Sequence, residues 1–104
     1  MQDQLKSAIL DGIRSHRYSC LYSAAWHECW DGRYVRGNPR FGRLLPQGGV
    51  RTVAKALADL ILSGVLTAEQ VAASFDAACK RKGCPDDTAA DMAKLAPYLA
   101  KRAA

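Results

Sequence analysis

Residues 50–64, VRTVAKALADLILSG, place Val53, Leu57, Leu60, Ile61 and Gly64 at helical spacing, with Lys55, Asp59 and Ser63 on the opposite side. That period is the signature of an amphipathic α-helix, and Gly64 is where it should stop. The next residues open a second helix. Thr67 is placed to cap it, Gln70 three positions on is placed to return a bond to the cap, and Leu66 and Val71 occupy the staple positions on either side. Its buried stripe is predicted to be Val71, Phe75 and Ala78, with a stop at Gly83 shortly before Pro85. The short Gly64-Val65-Leu66 link predicts that the two helices lie side by side as an antiparallel hairpin.

The flanking segments carry the same signal. Residues 86–104 offer Thr88 as a cap with Asp91 three positions later, then Met92, Leu95 and Leu99 on one face. Pro97 predicts a kink or an end near Ala96 and a frayed tail over 97–104. Near the N-terminus, Leu5, Ile9 and Ile13 make one stripe and Tyr18, Tyr22, Ala25 and Cys29 another. The two fall on opposite sides of a single straight rod, so a break is predicted near Ser15 and His16, with Ser15 or Ser19 capping the second piece; the alternative is one continuous helix over 3–30 surrounded on all sides. A chain of 104 residues is the length of one domain. The expected fold is all-α: one helical domain over 1–104, a small bundle of four to five helices, with a long arginine-rich loop or short hairpin between the N-terminal and central helices.

That loop, 31–49, reads DGRYVRGNPRFGRLLPQGG. Between Asp31 and Arg51 lie five arginines, Arg33, Arg36, Arg40, Arg43 and Arg51, against one acid. Trp30, Tyr34 and Phe41 are interleaved with them, and Gly37-Asn38-Pro39 is turn chemistry. Arginine presents a planar donor fork to phosphate or carboxylate, and rings stack on bases. The segment is therefore the candidate site for nucleic acid or for an acidic protein surface. The formal charge of +5 agrees with an anionic partner. Val35, Phe41, Leu44 and Leu45 are also apolar enough to cover the core, and Gly48-Gly49 is only a weak hint of an anion site. The remaining cations, Lys80, Arg81 and Lys82 among them, sit where they offset a helix dipole.

Catalytic chemistry is not expected. His27, Glu28 and Cys29 face different ways on a helix, Asp86 and Asp87 are ordinary acids at a helix entrance, and no phosphate-cradling glycine motif precedes a Lys-Ser/Thr pair. Cys20 and Cys29 lie on opposite faces of one helix. Cys79 and Cys84 are spaced for zinc, with His27 as a third ligand, or for a disulfide, but they also fall at the paired C3 and C″ positions of a helix terminus, and packing is the reading adopted. No metal or cofactor is expected. The first of the two helices around the GVLT link leads into a second whose opening turn carries Glu69, a poor start for a DNA-reading helix. The longest apolar stretch is broken by Arg51, Lys55 and Asp59, so no membrane span is expected, and MQDQLKSAIL lacks the pattern of a secretory signal, which predicts a cytoplasmic protein. The expected function is non-enzymatic nucleic-acid binding; the alternative is a small regulator or inhibitor of the kind mobile elements use, docked on a host protein or nucleoprotein.

Overall fold

The computed structural model describes the backbone of residues 2–30 and 49–103. These form an all-α bundle of five helices: α1 (Gln2–Arg14), α2 (Leu21–Ala25), α3 (Val50–Leu62), α4 (Ala68–Lys82) and α5 (Thr88–Ala103), with α2 running on into a π-helical turn, Trp26–Trp30. The expected loop or hairpin, including its turn at Gly37 to Pro39, lies outside the described residues. Among the described residues, no helix is long and apolar enough to cross a membrane.

Helix α3 is the centre of the bundle. Its buried residues, Val53, Ala54, Ala56, Leu57, Ala58 and Leu60, surround much of its circumference, and it packs against α5, α1 and α2. The stripes read from the sequence point inward on the other helices: Leu5, Ile9 and Ile13 on α1, Val71, Phe75 and Ala78 on α4, and Leu95 on α5 are buried. The small residues of α3 let three neighbours approach it closely, which is why a single helix organises the core.

Two helix ends follow the expected chemistry. Thr67 and Gln70 form the complete capping box, with Gln70 N–H donating to Thr67 Oγ1 at 3.0 Å and Thr67 N–H to Gln70 Oε1 at 2.8 Å. Gly64 and Gly83 take the left-handed conformation at φ 83° and 69°. After α3, Gly64 N–H donates to the Ile61 carbonyl and Val65 N–H to the Leu60 carbonyl, both at 3.0 Å, which completes a Schellman closure. This closure turns the chain steeply. The predicted side-by-side hairpin does not form: the backbones of α3 and α4 diverge from their joint, α4 packs on α1 and α5, and α5 takes the place beside α3. A short link fixes that two helices touch at one end, and burial of their stripes decides what each lies against.

The N-terminal break falls where the opposed stripes require it, but its caps differ from the expected serines. Ser15 Oγ bonds back to the Gly12 carbonyl at 3.3 Å, and the N-cap of α2 is Cys20, whose Sγ accepts from Ser23 N–H at 3.2 Å. With Cys20 as cap, the inward face becomes Leu21, Ala24 and Ala25, and Tyr22 turns outward. Helix α1 ends in the same closure as α3, with Arg17 N–H on the Gly12 carbonyl at 2.8 Å and His16 N–H on the Ile13 carbonyl at 3.2 Å. The left-handed residue here is His16, at φ 54°. A residue with a Cβ is strained there by about 1 kcal/mol. Because His16 is exposed, His16→Gly is expected to raise stability by about 0.5–1 kcal/mol in urea unfolding, against the usual cost of glycine.

Two expectations at α5 are corrected. Thr88 lies inside the helix; the preceding Asp87 carbonyl accepts from Asp91 N–H at 3.0 Å, and Asp86 Oδ1 accepts from Thr88 N–H at 3.0 Å. The helix also continues through Pro97 to Ala103, so the segment from 97 is helical rather than frayed. Pro97 deprives the Ala93 carbonyl of its donor, but both residues are exposed, so the carbonyl faces solvent and the loss costs little. Tyr98 and Leu99 pack against the core just beyond and hold the last turns in place.

Candidate nucleic-acid interface

The arginine segment is bounded by two described elements. It leaves the π turn at Trp30 and enters α3 beyond Gly49. Of the candidate residues, Trp30 is the last position of the π turn and Arg51 stands exposed in the first turn of α3. Arg33, Tyr34, Arg36, Arg40, Phe41 and Arg43 lie outside the described residues, as do Val35, Leu44 and Leu45.

The entry element carries aromatic surface that the sequence reading missed. Tyr22 and Trp26 are 45% and 41% exposed and meet edge to face, centroids 6.2 Å apart at 74°. They are four residues apart, one turn of helix. Assigning Tyr22 to the core hid this pair. The exit element is basic: Arg51 and Lys55, also four apart, are both exposed on α3, and no described carboxylate pairs with either.

What aims the entry element is a buried polar cluster. Glu28 lies in the π turn and is fully buried. Tyr18, also fully buried, donates its hydroxyl to the Glu28 carboxylate, with the Ala8 carbonyl 3.3 Å away. Arg17 Nη1 reaches Glu28 Oε2 at 3.1 Å. The Arg17 guanidinium also lies 6.0 Å from the centroid of the Tyr18 ring, and His27 packs on that ring at 5.7 Å. A lone carboxylate in an apolar interior is costly, and the Tyr18 hydroxyl and the Arg17 guanidinium help make it tolerable. His27 is half-buried with its ring against Tyr18, whereas the burial of Glu28 was not anticipated by its sequence position. A signal for it exists: Leu21, Ala24, Ala25 and Glu28 share one helical stripe, so the acid stands where the pattern calls for an apolar residue.

The cations at the end of α4 have other work. Arg81 Nη2 donates to the His16 carbonyl at 2.6 Å and Lys82 Nζ to the Arg17 carbonyl at 2.8 Å, satisfying the open carbonyls after α1. Lys80 pairs with Asp76 at 2.9 Å, which holds its ammonium above the usual lysine range. Asp91 carries the α5 side of this junction. It is buried, which pushes its carboxyl up, while the Leu21 amide of α2 pulls it down. A shallow depression of about 530 Å³ between α4 and α5 is lined by Asp76, Asp86, Thr88, Met92 and alanines; its two carboxylates oppose a phosphate there. Arg51 and Lys55 put exposed positive charge on α3 beside the arginine segment, while Asp59 one turn on is paired with Lys6 of α1 at 3.2 Å.

Among the described residues, no three His, Cys, Asp or Glu side chains are grouped so as to hold a metal ion. No family model matches the chain, and neither a curated protein nor a solved structure is similar enough to it to count as a match.

Proposed function

We propose that the protein is a non-enzymatic, cytoplasmic nucleic-acid-binding protein that works through the segment from Trp30 to Arg51. The observation that carries this reading is the company the segment keeps. Its entry helix exposes the Tyr22–Trp26 pair, and its exit helix exposes Arg51 and Lys55. Rings that stack on bases next to guanidinium groups that take phosphates form the usual composition of a surface that binds nucleic acid without reading sequence. The π turn between them supports the same conclusion, since such turns strain a helix and recur at functional sites.

With roughly four or five phosphates neutralised, the logarithm of duplex affinity should fall against the logarithm of salt with a slope near about −4. Arg51→Ala is expected to lower the size of that slope by about 1. Trp26→Ala is expected to weaken single-strand binding by about 1–3 kcal/mol with the slope unchanged. Fluorescence anisotropy across a salt series measures both, and a flat salt dependence would sink the proposal.

The exposed aromatic pair favours one further reading. Tryptophan, tyrosine and arginine are also the side chains that anchor protein interfaces, so the same surface suits an acidic protein partner, as in a small regulator or inhibitor. That reading expects a stoichiometric protein complex that survives nuclease treatment, together with a chain that does not bind nucleic acid at low salt.

A further inference from the structure

The end of α4 holds two thiols in contrasting settings. Cys84 N–H donates to the Cys79 carbonyl at 3.0 Å, the closing bond of the helix terminus, with Gly83 in the left-handed conformation between them. That closure brings the C3 and C″ positions close together, and Cys84 lies near enough to act on the Cys79 thiol. Cys79 is buried, and its Sγ–H donates to the Ser19 carbonyl at 3.2 Å; Cys84 is exposed. Packing accounts for Cys79 and leaves Cys84 unexplained, because a thiol in water contributes little to a core. Cys20 is engaged elsewhere, capping α2 through its Sγ.

We propose that Cys79 and Cys84 are a reversible dithiol–disulfide pair, which makes the end of α4 an exchange site for low-molecular-weight disulfides such as glutathione disulfide. In the first step the Cys84 thiolate attacks one sulfur of the oxidant. The oxidant's S–S bond breaks, and the departing glutathione thiolate takes up the proton that Cys84 gave up. In the second step the Cys79 thiolate attacks Cys84 Sγ, the mixed disulfide breaks, and a second glutathione leaves with the proton from Cys79. Two protein thiols are oxidised and one oxidant disulfide is reduced to two thiols. Closure takes the Sγ–H away from the Ser19 carbonyl, so it also releases one tie between α4 and the turn that leads into α2.

The second step is slow at neutral pH. Burial pushes the Cys79 thiol up, and the Asp86 carboxylate, Cys84 and Cys20 push in the same direction, while a hydrogen bond from the Asp87 backbone pulls it down. These are the groups that face it from the α4–α5 link and from the start of α2. A raised thiol value means little thiolate at pH 7, so the closure rate should climb by about tenfold per pH unit until that value is passed.

The full chain is incubated with glutathione disulfide at pH 7 and pH 9, quenched with acid and mapped without reduction by mass spectrometry. A glutathione adduct on Cys84 is expected at pH 7, converting at pH 9 to a Cys79–Cys84 disulfide. Cys84→Ser, an exposed position, should abolish both products, and Cys20→Ser should abolish neither. A Cys84 adduct that persists unchanged at pH 9, or Cys79 joined to Cys20, would overturn the proposal.

Discussion

Replacing Glu28 by alanine should cost about 3 kcal/mol of folding stability, because it leaves a buried tyrosine hydroxyl without its main acceptor and an arginine without its counter-ion. For a domain of this size that loss lowers the melting temperature by on the order of 15 °C. The magnitude follows from the setting. Glu28 and Tyr18 are fully buried, so the Tyr18 hydroxyl loses its carboxylate acceptor and is left with a weaker neutral one, the Ala8 carbonyl at 3.3 Å. The Arg17 side chain is 35% exposed, so it rehydrates and adds less than a buried cation would. Glu28→Gln keeps the volume and one acceptor for Tyr18, and the expected loss is smaller, about 1–2 kcal/mol. A double-mutant cycle with Tyr18→Phe gives the sharper reading. The two changes should be coupled by more than about 0.5 kcal/mol, since they remove the same hydrogen bond. Strict additivity would mean that the hydroxyl and the carboxylate do not act as a unit. On the proposed nucleic-acid function, the loss of Glu28 from the π turn that carries Trp26 is expected to weaken binding in the folded fraction as well.

What the sequence discloses and what it conceals divide along one line. Local chemistry is legible: the Thr67–Gln70 box, Gly64 and Gly83, and the stripes of α1, α3 and α4 each depend on residues within one or two turns of each other. Contacts across the chain are not. Nothing in GVLT says that α5 rather than α4 will lie beside α3, because every apolar stripe is a potential partner for every other. Cys20 is hard to foresee as a cap because a thiol is a weaker acceptor than the serine hydroxyls near it. Choosing Cys20 shifts the phase of the following helix, which sends Tyr22 outward and Glu28 inward. His16 concealed the terminus of α1 for a similar reason: the backbone conformation calls for glycine, and tertiary contacts from Arg81 hold a histidine there instead. Pro97 misled in the other direction, since a broken hydrogen bond on a wet face costs far less than one in a core. For the candidate site, composition draws attention to the arginine segment from Trp30 to Arg51, most of which lies outside the described residues, whereas the exposed Tyr22–Trp26 pair requires the phase of α2.

Gly12→Ala tests the same cluster from the opposite side. Alanine is the better helix former by about 1 kcal/mol, and Gly12 lies inside α1, so propensity alone predicts stabilisation. Packing predicts the reverse. A Cβ on Gly12 would overlap the hydroxyl, Cζ and Cε2 of Tyr18, a ring that is itself fully buried. Overpacking a rigid core costs about 1–3 kcal/mol, and here the displaced ring is also the one that holds Glu28. Moving it stretches the hydroxyl–carboxylate bond and strains the Arg17 contact, so the packing and polar losses add. A net loss of about 2–3 kcal/mol is expected, against the gain that helix propensity alone would give. Tyr18→Phe separates the two parts. It removes the oxygen that the new methyl would meet first but leaves Cζ and Cε2 in place, so Gly12→Ala should cost less in the Tyr18→Phe background than in the wild type. Urea unfolding of the four proteins measures this. If Gly12→Ala stabilises the wild type, then Tyr18 does not lie across Gly12, and the placement of Glu28 above it fails as well.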